Sequence, residues 1–375
     1  MNHSPNGTRK EHEFLVLDGL RGFAAISVMI FHYTGSLSHY AWRWPLHAFL
    51  AVDFFFVLSG FVIAHAYGIR LASGRQFIGE FMTRRLIRLY PLYLVGLSLL
   101  MAALAAKAAL GGLTVSSIPR FYTYACGLFF LPSPPSLLTG NPAYANVFPL
   151  DTPAWTLSLE IGINLVYALL CRYLTTPRLA VLVFLNGIGL TVAVWLNHKF
   201  DIGWNWPSYA GGWARVFWSF FAGVLLYRVF CLFEARNHKH FNPWVGVLLA
   251  LILIVIFSIH RVYEKYDLLV GVLLSPLAVL IGARTAIWHP LHRVYAWLGR
   301  TSYALYILHS PLLWVFIYIS KHLYVDPFRH SEALVPVFAF LSLLIASMLD
   351  IVYDMPVRSF LTHRLNSRLP AQGVA

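Results

Sequence analysis

Residues 17–33 read LDGLRGFAAISVMIFHY. One arginine and one histidine interrupt a run, from about 19 to 38, that is otherwise apolar enough to cross a bilayer. A spanning helix needs about 20 mostly apolar residues. Arg21 and His32 stand 11 positions apart. That is about 1100° of helix, roughly 20° past three full turns, so the two share one face. The rise between them is about 16 Å, half the hydrocarbon thickness. Arg21 is therefore predicted at the cytoplasmic edge and His32 near mid-membrane. The run does not read as a signal peptide. It begins after about 18 polar residues, carries Arg21 and His32, and lacks a small-residue cleavage site.

The rest of the chain agrees. Of 375 residues, 59% are hydrophobic and only 11% charged, against about 25% charged in soluble domains. This excludes an ordinary soluble protein and a disordered one. Mean hydropathy is +0.66. The fold class is all-α and polytopic, with ten candidate spans near 19–38, 48–69, 89–110, 153–173, 179–197, 212–233, 243–259, 267–283, 301–320 and 332–353. A further apolar stretch, 121–131, is too short to span. The segment LPSPPSLLTGNP (131–142) follows it, so it reads as a re-entrant or interfacial piece.

The formal net charge is +13. In a soluble protein that would suggest nucleic acid. Here the basic residues border apolar runs, so they report topology and no nucleic-acid partner is expected. With the N-terminus inside, 19 Lys and Arg fall on the inner side and nine on the outer. This predicts both termini in the cytoplasm and an even number of spans. Cys126, Cys171 and Cys231 form no CxxC or Cys/His cluster, so neither a disulfide framework nor a metal site is expected. No internal repeat is visible. One membrane domain fills 1–375, with tails at 1–18 and 356–375, surrounded by membrane lipids. Homo-oligomerisation is left open.

Ionisable residues inside spans are costly and face cavities or sites. FMTRRLIRLYPLY (81–93) carries Arg84, Arg85 and Arg88 in an inner loop. Their i, i+3 and i, i+4 spacing lets all three converge, and guanidiniums there suit a phosphate-bearing ligand. Positive-inside anchoring or anionic-lipid contact is the alternative, but five of the 19 inner charges fall in this one loop, which favours the ligand. VDFFFVLSGF (52–61) holds Asp53 near the outer end and a Ser59-Gly60 pair that reads as a packing notch. TPAWTLSLEIGINL (152–165) places Glu160 about two turns inside the outer end. It must be paired, protonated or wet. RTSYALYILHSPLL (300–313) puts Tyr303, Tyr306 and His309 loosely on one face, which core packing also explains, with a kink predicted at Pro311. HKFDIGWNWPSYAGGW (198–213) is rich in tryptophan, as interfacial belts are.

In this order the motifs resemble the acyltransferase-3 family of integral membrane acyltransferases. The resemblance rests on Arg21 and His32 at the family's spacing, then VDFFFVLSGF, RRLIRLYPLY, PAWTLSLE and SYALYILHSPLL. Where the family usually has Glu-x-Pro, this chain reads YDMPVR, with Asp354 two before Pro356. Some members carry a fused esterase-like domain, for which this chain is too short. The resemblance implies a bacterial inner-membrane enzyme that moves an acyl group, most often acetyl, from cytoplasmic acyl-CoA to a hydroxyl of a surface or lipid-linked glycan. It implies His32, Arg21 and Glu160 in catalysis and Arg84, Arg85 and Arg88 on the phosphates of acetyl-CoA. It implies Asp53, Tyr306 and His309 near the acceptor, with no metal. A proton- or anion-coupled transporter is the alternative. Buried His, Glu and Arg would serve it as a relay, but the chain lacks repeat halves.

Overall fold

The computed structural model describes residues 14–38, 44–109, 117–134, 146–236, 240–259 and 264–368. The extreme tails, 1–13 and 369–375, lie outside these. The long apolar runs form α1 (Leu15–Leu37), α2 (Ala51–Ala72), α3 (Ile78–Ala109), α5 (Ala154–Leu170), α6 (Thr176–Asn197), α7 (Tyr209–Arg236), α8 (Trp244–Ser258), α11 (His292–His322) and α12 (Ser331–Leu349). The predicted span at 267–283 is α9 (Glu264–Leu269) joined through a π turn to α10 (Ser275–Ala283). The short stretch near 121–131 is α4 (Ser117–Leu128), and α13 (Met355–Arg368) follows α12 through a second π turn. Among the described residues, eight helices are long and apolar enough to cross a membrane; α5 and α8 are shorter apolar helices. The chain is a multi-pass, all-helical membrane protein.

Two boundaries differ from expectation. Helix α3 starts at Ile78, so the arginine cluster sits on helix and not in a loop. Nothing between 78 and 90 breaks a helix, and Pro91 is accommodated inside it. The predicted polar tail after 355 is helical as far as Arg368.

Helix directions follow from side-chain pairs. Helices α1 and α11 run parallel: Gly19 meets Tyr295, Gly22 meets Leu298, and Tyr33 donates to the His309 carbonyl. So do α2 and α7, through Asp53 with Arg215 and His65 with Tyr227. Helix α5 runs with α2, since Ser59 meets Glu160 and Gly68 meets Tyr167. Helix α3 runs with α11, through Leu89 with Tyr303 and Gly96 with Pro311. Helix α6 opposes α7: Thr176 meets Arg228, and Gly187 meets Trp218. Helix α8 starts beside Val16, and its Phe257 carbonyl reaches His47, beyond the far end of α1. The α9–α10 unit returns from Asp267, paired with His47, to Gly282 beside Leu17. Helix α12 opposes α11, since Phe338 meets Phe316 and Ser342 meets Tyr33. Since Phe14, just before α1, packs on His65 near the end of α2, the ten helical units among the described residues alternate in direction along the chain, α4 apart. Phe14 and α13 lie at the same end of the bundle, where Arg84 reaches Asn366.

An ion pair and a hydrogen-bonded His–Asp pair hold the far end. Arg215 and Asp53 are both fully buried, with Nη2 2.6 Å from Oδ2. Arg215 Nε donates to Asp53 Oδ1 at 3.3 Å, Nη1 donates to the Ile202 carbonyl, and Nη2 also donates to the Phe49 carbonyl. His47 and Asp267 pair at 2.7 Å.

Candidate active site

The close approach of α1 to α11 sets the first part of the site. A Cβ on Gly22 would stand 2.8 Å from the Leu298 carbonyl oxygen, and one on Gly299 would collide with Asp18. At this separation Arg21 reaches across. Its Nε donates to Ser302 Oγ at 2.8 Å, and its Nη2 donates to the Gly299 carbonyl at 2.6 Å. Asp18, one turn earlier, lies 3.1 Å from the same guanidinium. Eleven residues on, His32 Nδ1 lies 3.0 Å from His309 Nε2, so Arg21 and His32 both face α11 as their spacing predicts.

An open cavity of about 800 Å³, counted out to its mouth, lies between α1, α2, α3, α5 and α11. Its polar lining is Arg21, Ser59, Arg85, Arg88, Thr156, Glu160, Ser302, Tyr303 and Tyr306, and Phe55 and Phe56 stand on the apolar side. Arg85 Nη2 donates to Glu160 Oε1 at 2.6 Å, and Ser59 donates to the same oxygen at 3.1 Å. Arg88 has no hydrogen-bonding or ion-pair partner among the described residues, although the charges of Arg21, Arg85 and Glu160 act on it. Two of the three guanidiniums are paired, Arg21 with Asp18 and Arg85 with Glu160, while Arg88 feels the charge of Asp354 without pairing to it. An unpaired cation in a largely apolar wall favours an anionic ligand.

Above the arginines, the Tyr306 hydroxyl engages Thr156 Oγ1 at 3.0 Å, and its ring meets Phe55 edge-on. One turn further along α11 is His309, fully buried, whose Nδ1 lies 3.2 Å from the Leu305 carbonyl. His32, half-buried, stands beside it. The histidine pair lies beyond Tyr306, outside the cavity lining itself.

The sequence-predicted residues thus divide. Arg21, Arg85, Arg88, Glu160 and Tyr306 come together around the cavity, with His32 and His309 adjoining. Arg84 does not converge with its neighbours. It turns to Glu80 at 2.9 Å and to Asn366 on α13. A step of one residue rotates a side chain by about 100°, so Arg84 leaves the cavity that Arg85 faces. Asp53 lies in the buried pair with Arg215, away from the cavity. Glu160 holds Arg85. Ser59, read as part of a packing notch, lines the cavity, and the notch is Gly60 alone, against the Phe220 carbonyl. Thr156 and Ser302 were not singled out from the sequence. Both are one helical turn from a residue that was, Glu160 and Tyr306 respectively, which is the signal that could have found them. Among the described residues no group of three or more His, Cys, Asp and Glu is arranged to hold a metal ion.

A helical membrane bundle with an arginine-lined cavity under a histidine pair is the class of protein that this geometry defines. The chain belongs to the acyltransferase-domain family, whose profile matches residues 14–352. It is 35% identical over 188 residues to "Protein 2 in picA locus" of Rhizobium radiobacter, covering 48% of this chain and 94% of that protein. It is 25% identical over 322 residues to "Peptidoglycan O-acetyltransferase OatA" of Listeria monocytogenes, covering 79% of this chain and 49% of that one. With "O-acetyltransferase OatA" of Staphylococcus aureus the identity is 26% over 374 residues, covering 91% and 57%. The chain spans about half the length of these two O-acetyltransferases. No solved structure matches it.

Proposed function

We propose that the protein moves an acyl group, most often acetyl, from cytoplasmic acyl-CoA to a hydroxyl of an extracytoplasmic or lipid-linked glycan in the bacterial inner membrane. The observation that carries this reading is the stacking of two chemistries along α1 and α11. Guanidiniums of Arg21, Arg85 and Arg88 suit the phosphates of the donor. His32 stands about 16 Å further along the helix, where the acyl end of an extended donor would arrive. O-acetyl transfer in the names of two relatives supports the acyl group, and peptidoglycan in one of those names supports a glycan acceptor.

A sugar hydroxyl is a weak nucleophile at neutral pH. In the proposed step His32 takes the hydroxyl proton as the oxygen attacks the thioester carbonyl. A tetrahedral intermediate forms, the C–S bond breaks, and the departing CoA sulfur takes up the proton. General-base assistance of this kind is worth about 10²–10⁴-fold. The developing oxyanion needs a donor, and the Tyr306 hydroxyl, in the cavity wall one turn of α11 from His309, is the group proposed for it. Glu160 holds Arg85 in place for the donor.

The test is chemical. Envelope glycans from cells with and without the gene are compared for base-labile acyl esters, and purified protein is assayed for release of free thiol from acetyl-CoA with that glycan fraction. Ester loss on deletion and glycan-dependent thiol release are expected. Unchanged esters and no thiol release would refute the reading.

A further inference from the structure

We propose that His309 is a positioning residue that fixes which nitrogen of His32 carries the proton. This rests on the reading of His32 as the base. The Leu305 carbonyl can only accept, so the His309 Nδ1 at 3.2 Å from it carries the hydrogen. In a neutral ring the other nitrogen, Nε2, is then an acceptor. The His32 Nδ1, 3.0 Å from that Nε2, must therefore donate. With its one hydrogen on Nδ1, a neutral His32 carries its lone pair on Nε2, the nitrogen a general base would use. A backbone carbonyl of α11 thus specifies, through one intervening ring, the tautomer of a residue on α1.

The backbone around the pair is tied by hydrogen bonds. His309 is fully buried, and its own carbonyl accepts a hydrogen bond from the neighbouring Tyr33 hydroxyl at 2.9 Å. That hydroxyl also meets Ser342 of α12. The backbone bearing His309 is thereby tied to the residue next to His32, so the ring-to-ring distance is set from both sides. A histidine there for packing alone would need no acceptor aimed at its neighbour. The arrangement assigns His309 to holding the base, in place of the acceptor contact the sequence suggested.

The proposal has a readout that needs no activity. Nitrogen-15 NMR of histidine-labelled protein in detergent, with the signals assigned through His32→Gln and His309→Gln, reports the tautomer of each ring. Both rings should be neutral with the hydrogen on Nδ1; a His32 with its hydrogen on Nε2 overturns the proposal. The kinetic arm uses acetyl-CoA and the envelope glycan fraction. His309→Phe, which keeps a ring but offers no acceptor, should lower kcat by about 10²-fold, at the lower edge of what general-base catalysis supplies. KM for acetyl-CoA should move less than about 3-fold, since only the transition state is affected. His309→Gln, whose amide oxygen can take the place of Nε2, should recover at least about tenfold of that loss. Wild-type kcat in His309→Phe overturns the proposal. If the wild-type protein transfers no acyl group, the functional reading fails, and the NMR result still decides the tautomer.

Discussion

Arg84, Arg85 and Arg88 lie within one and a half turns of one helix and end in three settings. Arg85 is held by Glu160, Arg88 faces the cavity with no paired charge among the described residues, and Arg84 bonds Glu80 and Asn366. Removing Arg85 or Arg88 should weaken acetyl-CoA binding by roughly 1–3 kcal/mol per lost charge-assisted contact. Arg84→Ala should leave that affinity unchanged, as titration calorimetry in detergent would read. Asp53 makes a different case. Arg215→Ala would strand its carboxylate in the interior, a loss of about 3–5 kcal/mol. It should appear as lower melting temperature and poor yield, without selective loss of acceptor binding. Asp151, in the segment before α5, is 1% exposed, and neither carboxylate oxygen has a partner among the described residues. Burial pushes its carboxyl well above the ordinary range. The folded state then holds a proton that the unfolded state releases above its pKa of about 3.9, so this group makes stability fall as pH rises. Asp151→Asn should raise the melting temperature at about pH 8, and the gain should vanish towards about pH 4.

Packing between elements depends on two glycines where α2 crosses α7. A Cβ on Gly60 would stand 2.0 Å from the Phe220 carbonyl oxygen, and one on Gly223 would stand 2.0 Å from that of Val57. Small residues allow this approach in membrane bundles. Gly60→Val or Gly223→Val should force the helices apart, and with them the Asp53–Arg215 pair. The expected result is loss of monodisperse protein on gel filtration, and a stable, well-folded variant would contradict it. At this scale the sequence was informative about identity and less so about extent. Each of the ten predicted runs is helical, because a run of apolar residues is its own signal. The start of α3 at Ile78 was not visible, since charged residues in a helix that projects past the apolar run look like a loop. The partner of Asp53 was not visible either. Arg215 is 162 positions away, and in the sequence it counts as one more outer-side charge.

The alternating directions bring both described ends of the chain to one end of the bundle. The excess of basic residues there predicts the cytoplasm. Reporter fusions or cysteine labelling should find both termini inside, and an external C-terminus would contradict this. The site was legible where its members share an element: Arg21 with His32, Arg85 with Arg88, Tyr306 with His309. It was not legible where it depends on which helices meet. That α1 runs parallel to α11, joining two histidines 277 positions apart, follows from packing alone. The central claim is that this junction does the chemistry, with His32 as the base. The most direct measurement is acetyl transfer by purified wild-type, His32→Ala and His32→Gln protein, with acetyl-CoA affinity determined in parallel. Turnover should fall by about 10²–10⁴-fold in both variants, with acetyl-CoA affinity held within about 3-fold. A His32→Gln protein that turns over at the wild-type rate would contradict the account.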